Sequence, residues 1–389
     1  DYASVGVSTS GNVNNLGYAI SAQTHDSGEP VPGSTAKNTE FTTRLSWQQD
    51  IHTLNFNYRY FDGERTSFPE QSGGPEFAQS TDLDVSDYKD QSAALGLIAT
   101  VASDWQSKVN VSWYQRDEDT RSPGIVPFDA VPPTGSVIDF NRTQFSWINT
   151  VGNQQRVWAN IGIETKIEDG ESQGYLFSPD VMPNNFALDR QTNSTFINVN
   201  AYATANVLLQ ASVRRDDAEG FDANESGHVG ARFALNDNWT WYANWGEGFK
   251  LPSFFALGHA LVGNLDLQPE TATTRDTGIE FNNEKVSARI GYFDHHYRNL
   301  IDFDAETFKN VNRSRVETSG AESEISWQVQ QNFSLRAHAT YTDIDMISSD
   351  NHLLGRPQVT YGTSAHYALN DAWQFNINYL RVDERFAVS

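Results

Sequence analysis

Trp239-Thr-Trp-Tyr-Ala-Asn-Trp-Gly-Glu-Gly-Phe-Lys-Leu-Pro-Ser-Phe-Phe255, followed by Asn264-Leu-Asp-Leu-Gln-Pro-Glu-Thr271, decides how the rest of this chain is read. In its first half Trp239, Trp241, Ala243 and Trp245 fall on one face, and Thr240, Tyr242, Asn244 and Gly246 on the other. That is the period of a β-strand with one greasy side and one wet side. The strand ends through Gly248, Phe249 and Lys250 in a Lys-x-Pro-Ser turn at Pro252 and Ser253. The chain returns at Asn264, Leu267, Pro269 and Glu270 to open the next strand.

The same alternation recurs along the chain. Val207, Leu209, Ala211 and Val213 oppose Leu208, Gln210, Ser212 and Arg214. Phe333, Leu335, Ala337, Ala339 and Tyr341 oppose Ser334, Arg336, His338 and Thr340. Similar runs occupy 54–60, 157–163 and 373–379, each about ten residues, the length a tilted strand needs to cross a bilayer. The 10 Trp, 15 Tyr and 23 Phe stand singly between polar residues, where a soluble core would gather them in apolar runs. No stretch of 18 apolar residues exists, which rules out a transmembrane helix. The absence of cysteine excludes disulfides, thiol chemistry and Cys-ligated metals. The start, Asp1-Tyr-Ala-Ser-Val5, has no secretory signal pattern and suits a segment that begins inside a mature domain. The net charge of −23 argues against a nucleic-acid partner.

The connections discriminate further. Short turns rich in Asn, Asp and Gly fall at 11–15, 49–52, 103–104, 152–153, 206, 236–238, 282–283, 330–332 and 370–372. Longer excursions fall between them at 26–37, 62–90, 120–139, 168–192, 217–224, 250–269, 300–314 and 346–357. This short-long beat over about 18 strands fits a membrane barrel with tight turns on one rim and loops on the other. A soluble sandwich would carry turn signals at more even spacing. Closure follows from the solvent, because an unpaired sheet edge in hydrocarbon costs several kcal/mol per backbone group.

The two halves of the opening motif resemble the signature of TonB-dependent outer-membrane receptors, and the strand pattern extends that resemblance over essentially all 389 residues. It implies an all-β, antiparallel transmembrane barrel of the 22-stranded type with a plugged lumen. Residues 1–389 would then form one barrel fragment, with the plug, the first strand and the last three outside the chain. The implied activity is energised, high-affinity uptake of a scarce metal chelate, driven by the TonB–ExbB–ExbD complex acting on the plug. The implied setting is a monomer in the bacterial outer membrane, among lipid and lipopolysaccharide. A passive porin-like channel or a surface adhesin is the alternative reading.

Three patterns are similar to the vitamin B12 (cobalamin) branch: Tyr297-Arg-Asn-Leu-Ile-Asp-Phe303 with Asn310-Val-Asn312 and Glu317-Thr-Ser-Gly-Ala-Glu322; Tyr341-Thr-Asp-Ile-Asp345 with Leu353-Leu-Gly-Arg-Pro357; and Phe61-Asp-Gly63. The first two also occur in ferric-siderophore receptors, so cobalamin, or another corrinoid, and ferric siderophores both stand as cargo. In the cobalamin branch loop carboxylates hold calcium, and the resemblance points to Asp62, Asp82 and Asp84 as the matching set, although the 26–37 loop has only Asp26 and Glu29 to add. The bland alternative is a solvated acidic loop over the outer leaflet. No other cofactor is required.

His259, Phe254 and Phe255, in the long signature loop, are the candidate ligand contacts, together with Asp62. Arg59, Arg214, Arg232, Arg336, Glu322 and Glu324 fall on the polar faces, where they read as plug contacts or as the ordinary wet lining of a wide barrel. His295 and His296 are neighbours on a strand and cannot both ligate one ion. Trp245, Phe249 and Trp113 read as interfacial girdle residues. No Gly-x-Ser-x-Gly or His-Glu-x-x-His motif accompanies the scattered His and Asp residues, so no catalytic residue is assigned and an enzyme is not expected.

Overall fold

The computed structural model describes residues 2–69, 72–126, 131–177, 180–304, 306–313, 315–347, 356–370 and 372–383. Its strands are β1 (Ala3–Val13), β2 (Leu16–Asp26), β3 (Thr35–Gln49), β4 (His52–Ser67), β5 (Asp84–Ala102), β6 (Trp105–Ser122), β7 (Thr134–Asn153), β8 (Val157–Phe177), β9 (Val181–Pro183), β10 (Phe186–Thr204), β11 (Val207–Ala218), β12 (Asn224–Ala234), β13 (Trp239–Lys250), β14 (Glu270–Asn282), β15 (Val286–Arg298), β16 (Leu300–Asp304), β17 (Lys309–Arg313), β18 (Val316–Gln330), β19 (Phe333–Met346), β20 (Val359–Asn370) and β21 (Trp373–Val382). Two short helices, α1 (Gly74–Phe77) and α2 (Phe254–Gly258), lie in loops.

Each long strand pairs antiparallel with the next, from β1 to β21, in a single sheet. The short β9 lies against β8, and β16 and β17 form a separate hairpin standing on the β15–β18 connection. Among the described residues β1 and β21 do not pair with each other, and every residue of β21 is exposed on both faces.

The core is inverted relative to a soluble protein. Trp147 and Leu209 are each 44% exposed, whereas Arg190 is 8% exposed and Ser194 and Asp216 only 3%. Burying charge while exposing Trp and Leu makes sense only where the outer medium is hydrocarbon and the inner one is wet. Along β11, for example, Leu209, Ala211 and Val213 are exposed, and Gln210, Ser212, Arg214 and Asp216 face inward.

The tight turns sit at one rim and take the backbone that Asn and Gly permit. Asn14, Asp50 and Gly152 have positive φ, at 52°, 49° and 106°, where the right-handed twist of a hairpin demands it. At the opposite rim the sheet departs from the sequence reading. The strands β3 to β8 and β10 run 15 to 21 residues, not about ten. Much of what reads as loop is paired strand: Asp62 lies opposite Lys89, Asp117 opposite Asp139, and Glu168 opposite Arg190. Above the bilayer both faces of a strand meet water, so the hydrophobic alternation fades while the hydrogen-bond ladder continues. The excursion at 300–314 likewise contains the β16–β17 hairpin, with Phe303 and Phe308 packed edge to face at 5.3 Å.

Candidate functional site

The inner side of the long-loop rim carries the chemistry, and the signature segment is its centre. Lys250 and Glu270 are cross-strand partners at its base, with Nζ 3.3 Å from Oε2. From there the chain reaches back past β12 and β11 to the inner faces of β10, β8 and β7. Pro252 is fully buried, and its carbonyl accepts a 3.0 Å bond from Arg190 Nη1. Ser253 caps α2 by accepting the Ala256 amide at 3.1 Å.

Phe254 is the anchor. Its ring lies 5.0 Å beneath the Arg190 guanidinium and 6.2 Å from Phe140. It also fills the space above Gly170, where a Cβ would sit 2.4 Å from the ring, so β8 needs glycine at this point. Arg190 in turn donates through Nη2 to Glu168 at 3.0 Å, and Lys166 Nζ adds a second cation 3.3 Å from the same carboxylate. The Arg190–Glu168 pair is almost fully buried, and its partners are what make that tolerable.

The other end of the segment is tied to the β16–β17 hairpin. Asn264 Nδ2 donates to the Asn310 carbonyl, and the Asn310 amide donates to the Val262 carbonyl at 2.7 Å. The Gln268 amide donates to Asn312 Oδ1 at 2.8 Å, and Asn312 Nδ2 donates back to the Gln268 carbonyl at 3.0 Å. Glu270 accepts the Ile301 amide at 2.9 Å, and Leu267 is 1% exposed. The segment is therefore a strap pinned to β8 and β10 at one end and to the β16–β17 hairpin at the other. Pro269 contributes its carbonyl to Asn299. Gly248 has open space where a Cβ would be, so nothing in the packing explains glycine there. Phe249 lies opposite Thr271 on the outward face of β13.

Phe254 and Phe255 divide their roles. Phe254 is buried in the wall, whereas Phe255 is 51% exposed and packs on the His259 ring at 4.7 Å. His259 Nδ1 accepts the amides of Leu261 and Val262, both at 3.2 Å, which requires that nitrogen to be unprotonated. Burial lowers the His259 pKa and favours the same neutral state.

The inward charges are organised as pairs. Arg59 bonds Glu40 at 2.6 Å, Arg214 bonds Glu164 and Asp216, Arg232 bonds Glu280, and Glu322 accepts from Arg289. Glu324 shares a hollow with Glu322, Arg289 and His338, and Arg336 sits opposite Ser326 and Ser364. Inward arginines also lie over rings on the same face: Arg59 over Phe61 and Arg214 over Phe196, and, further along the wall, Arg116 over Tyr88 and Arg142 over Tyr114. Sequence reasoning missed this lining, although Arg59-x-Phe61 is a same-face spacing that signals it.

The three carboxylates proposed for calcium are not brought together. Asp62 shares the outward face with Tyr60, whose hydroxyl it accepts at 3.1 Å. Asp84 lies opposite Ser67, five residues along β4 (roughly 17 Å) and on the other face of the sheet. Asp82 accepts from Ser80. Among the described residues no group of three or more His, Asp or Glu side chains is placed to hold a metal. His295 and His296 do take opposite faces, His295 against Asp276 and His296 against Asp294 and Glu317. The Leu353–Gly355 part of the second cobalamin-like pattern lies outside the described residues.

Residues 9–389 match the family model described as TonB dependent receptor-like, beta-barrel. The chain belongs to that family. Membership places it in the outer membrane, which the exposed apolar belt requires. A vitamin B12 transporter, BtuB, of Vibrio vulnificus is 27% identical over 179 residues, 43% of this chain and 29% of that protein. BtuB of Photobacterium profundum is 22% identical over 192 residues, 49% of this chain and 30% of that protein. The aligned parts thus cover less than a third of either relative. Among solved structures the copper transporter OprC superposes with a TM-score of 0.79 at 16% identity, over 99% of this chain and 67% of that one. The ferripyoverdine receptor of Pseudomonas aeruginosa superposes with a TM-score of 0.77 at 15% identity, over 98% and 63%. At those identities the structural likeness speaks for the fold alone.

Proposed function

We propose that this chain is the wall and mouth of a receptor for energised uptake of a scarce metal chelate, either cobalamin or another corrinoid or a ferric siderophore. The observation that carries the reading is the inward strap, a mouth segment held at both ends that carries the exposed Phe255 ring against the half-buried His259. The BtuB relatives support the corrinoid arm, and the family supports uptake in general. Energy would come from TonB–ExbB–ExbD through a plug that the wall residues described here do not include. The reading assigns no catalytic residue; Phe255 and His259 are contacts, and Phe254 holds them in place. It also assigns no calcium requirement, since Asp62 and Asp84 face opposite ways.

The test is a competition assay on the receptor purified from outer membranes, setting cobalamin against ferric chelates with and without calcium. Saturable binding of one class, lost in Phe255→Ala, supports the reading. In intact cells expressing the receptor, non-saturable uptake that persists when the proton-motive force is collapsed would establish a passive channel instead.

A further inference from the structure

The lipid-facing side of β10 to β15 is not a uniform belt. Where neighbouring strands present Trp, Ile and Phe, the adjacent outward positions Ala211, Ala231 and Ala243 form a low floor, and the surrounding side chains enclose a groove of about 850 Å³. At its β10–β11 end the lining is aliphatic, with Val199 and Leu209. At its β13–β15 end stand Trp245, Arg275 and Tyr292.

The register shows that the groove runs across the strands. Val199, Ala211, Val229, Trp245, Arg275 and Asp294 are successive cross-strand partners. Six strands at about 4.8 Å spacing make a track roughly 24 Å long. One leaflet of hydrocarbon is roughly 15 Å deep, so an inclined acyl chain and the start of its headgroup fit that length. A charge at the bilayer midplane is costly, which puts the Arg275 end at headgroup level and the Val199 end in the hydrocarbon. The Arg275 side chain is 61% exposed and, among the described residues, touches Asp294 through Nη1 at 3.5 Å, which leaves most of its five N–H donors for a phosphate. Trp245 beside it is the ring type that settles at this interface.

We propose that this groove holds one acyl chain of a phosphate-bearing outer-leaflet lipid, with the phosphate at Arg275. The occupant follows from the place: the groove opens in the belt that only lipid reaches, its floor is apolar, and its one exposed cation sits at the end where a headgroup would lie. The site is separate from the inward-facing mouth, so it stands whatever the cargo is.

The experiment is native mass spectrometry of the detergent-purified receptor titrated with bisphosphorylated lipid A, with dephosphorylated lipid A and phosphatidylcholine as comparators. Ala231→Phe with Ala243→Phe fills the floor, Arg275→Gln removes the cation without changing the floor, and Ile290→Phe, outside the groove, is the control. Heat-dependent gel migration checks that each variant is a folded barrel. The double Phe variant should weaken retention of lipid A on the order of tenfold, with Ile290→Phe unchanged. Arg275→Gln should erase the preference for the phosphorylated form. Equal retention by the double variant and the wild type overturns the groove, and an undiminished preference in Arg275→Gln overturns the headgroup assignment. Equal binding of phosphatidylcholine does the same.

Discussion

Replacing Arg190 by Met tests whether the strap is held by the wall. The change removes the 3.0 Å bond to the Pro252 carbonyl, the 3.0 Å bond to Glu168 and the ring contact at 5.0 Å. Breaking one side of a buried pair costs about 3–5 kcal/mol when the remaining charge is stranded. Glu168 is not stranded, because Lys166 Nζ remains 3.3 Å away, and Met keeps an apolar contact with Phe254. The expected loss is therefore at or below the bottom of that range, about 2–3 kcal/mol, or roughly a 30-fold to 150-fold rise in strap opening. The cost should be local, since the ladders of β8 and β10 do not depend on this side chain. Hydrogen exchange reads it directly: the amides of Gly263 and Asn264, bonded to the His259 and Ala256 carbonyls, should exchange faster while those of β8 and β10 hold. Unchanged exchange at Gly263 and Asn264 would refute the idea that the wall pins the strap, and a uniform rise across the barrel would make Arg190 an ordinary stabiliser of the sheet.

Other consequences are checked more simply. Gly170→Val should expel the Phe254 ring, visible as new proteolysis within residues 251–269 in an otherwise folded barrel. Because burial holds the His259 pKa below its ordinary 6.5, its neutral state contributes stability that is complete above pH 6.5 and lost as pH falls towards the lowered value. Strap protection, corrected for the pH dependence of intrinsic amide exchange, should fall over that acid interval in the wild type and lose this pH step in His259→Gln. Lys250→Ala should change barrel stability by less than about 1 kcal/mol in a denaturant titration, because its ion pair with Glu270 is largely exposed on the lysine side. Val229→Arg, on the lipid face, should destabilise by up to about 4 kcal/mol in the same titration, whereas a lumen-facing Ser212→Arg should cost far less.

The membrane-crossing part of the wall was legible because lipid on one side and water on the other impose alternation, and turns such as Asn14-Asn15 and Asp50-Ile51 carry their own chemistry. The upper wall was not. Around Asp117, Asp139 and Glu171 the outward face is acidic where the belt below it is apolar, so the alternation is lost and the backbone ladder, which leaves no mark in side-chain type, makes it sheet. The site was legible as a motif but not as a mechanism. Pro252, Ser253 and Leu267 were visible in the signature, yet their anchor, Arg190, lies 62 residues before Pro252 and looked like loop. Phe254 and Phe255 are identical letters, and only the inward turn of α2 separates an anchor from a contact.

The unequal strand lengths give the receptor a skyline. β7 and β8 exceed a bilayer crossing by about ten residues, which at a tilt of about 40° lifts their tops roughly 25 Å above the membrane, while β11 to β13, of 11 or 12 residues, end close to it. The entrance is thus a parapet with a notch. A solute arriving along the cell surface meets an acidic outer rampart on the tall side and an open sill on the short one. The strap springs from that sill and leans on the tall stretch of wall a few strands away, so it bridges the step between the two heights.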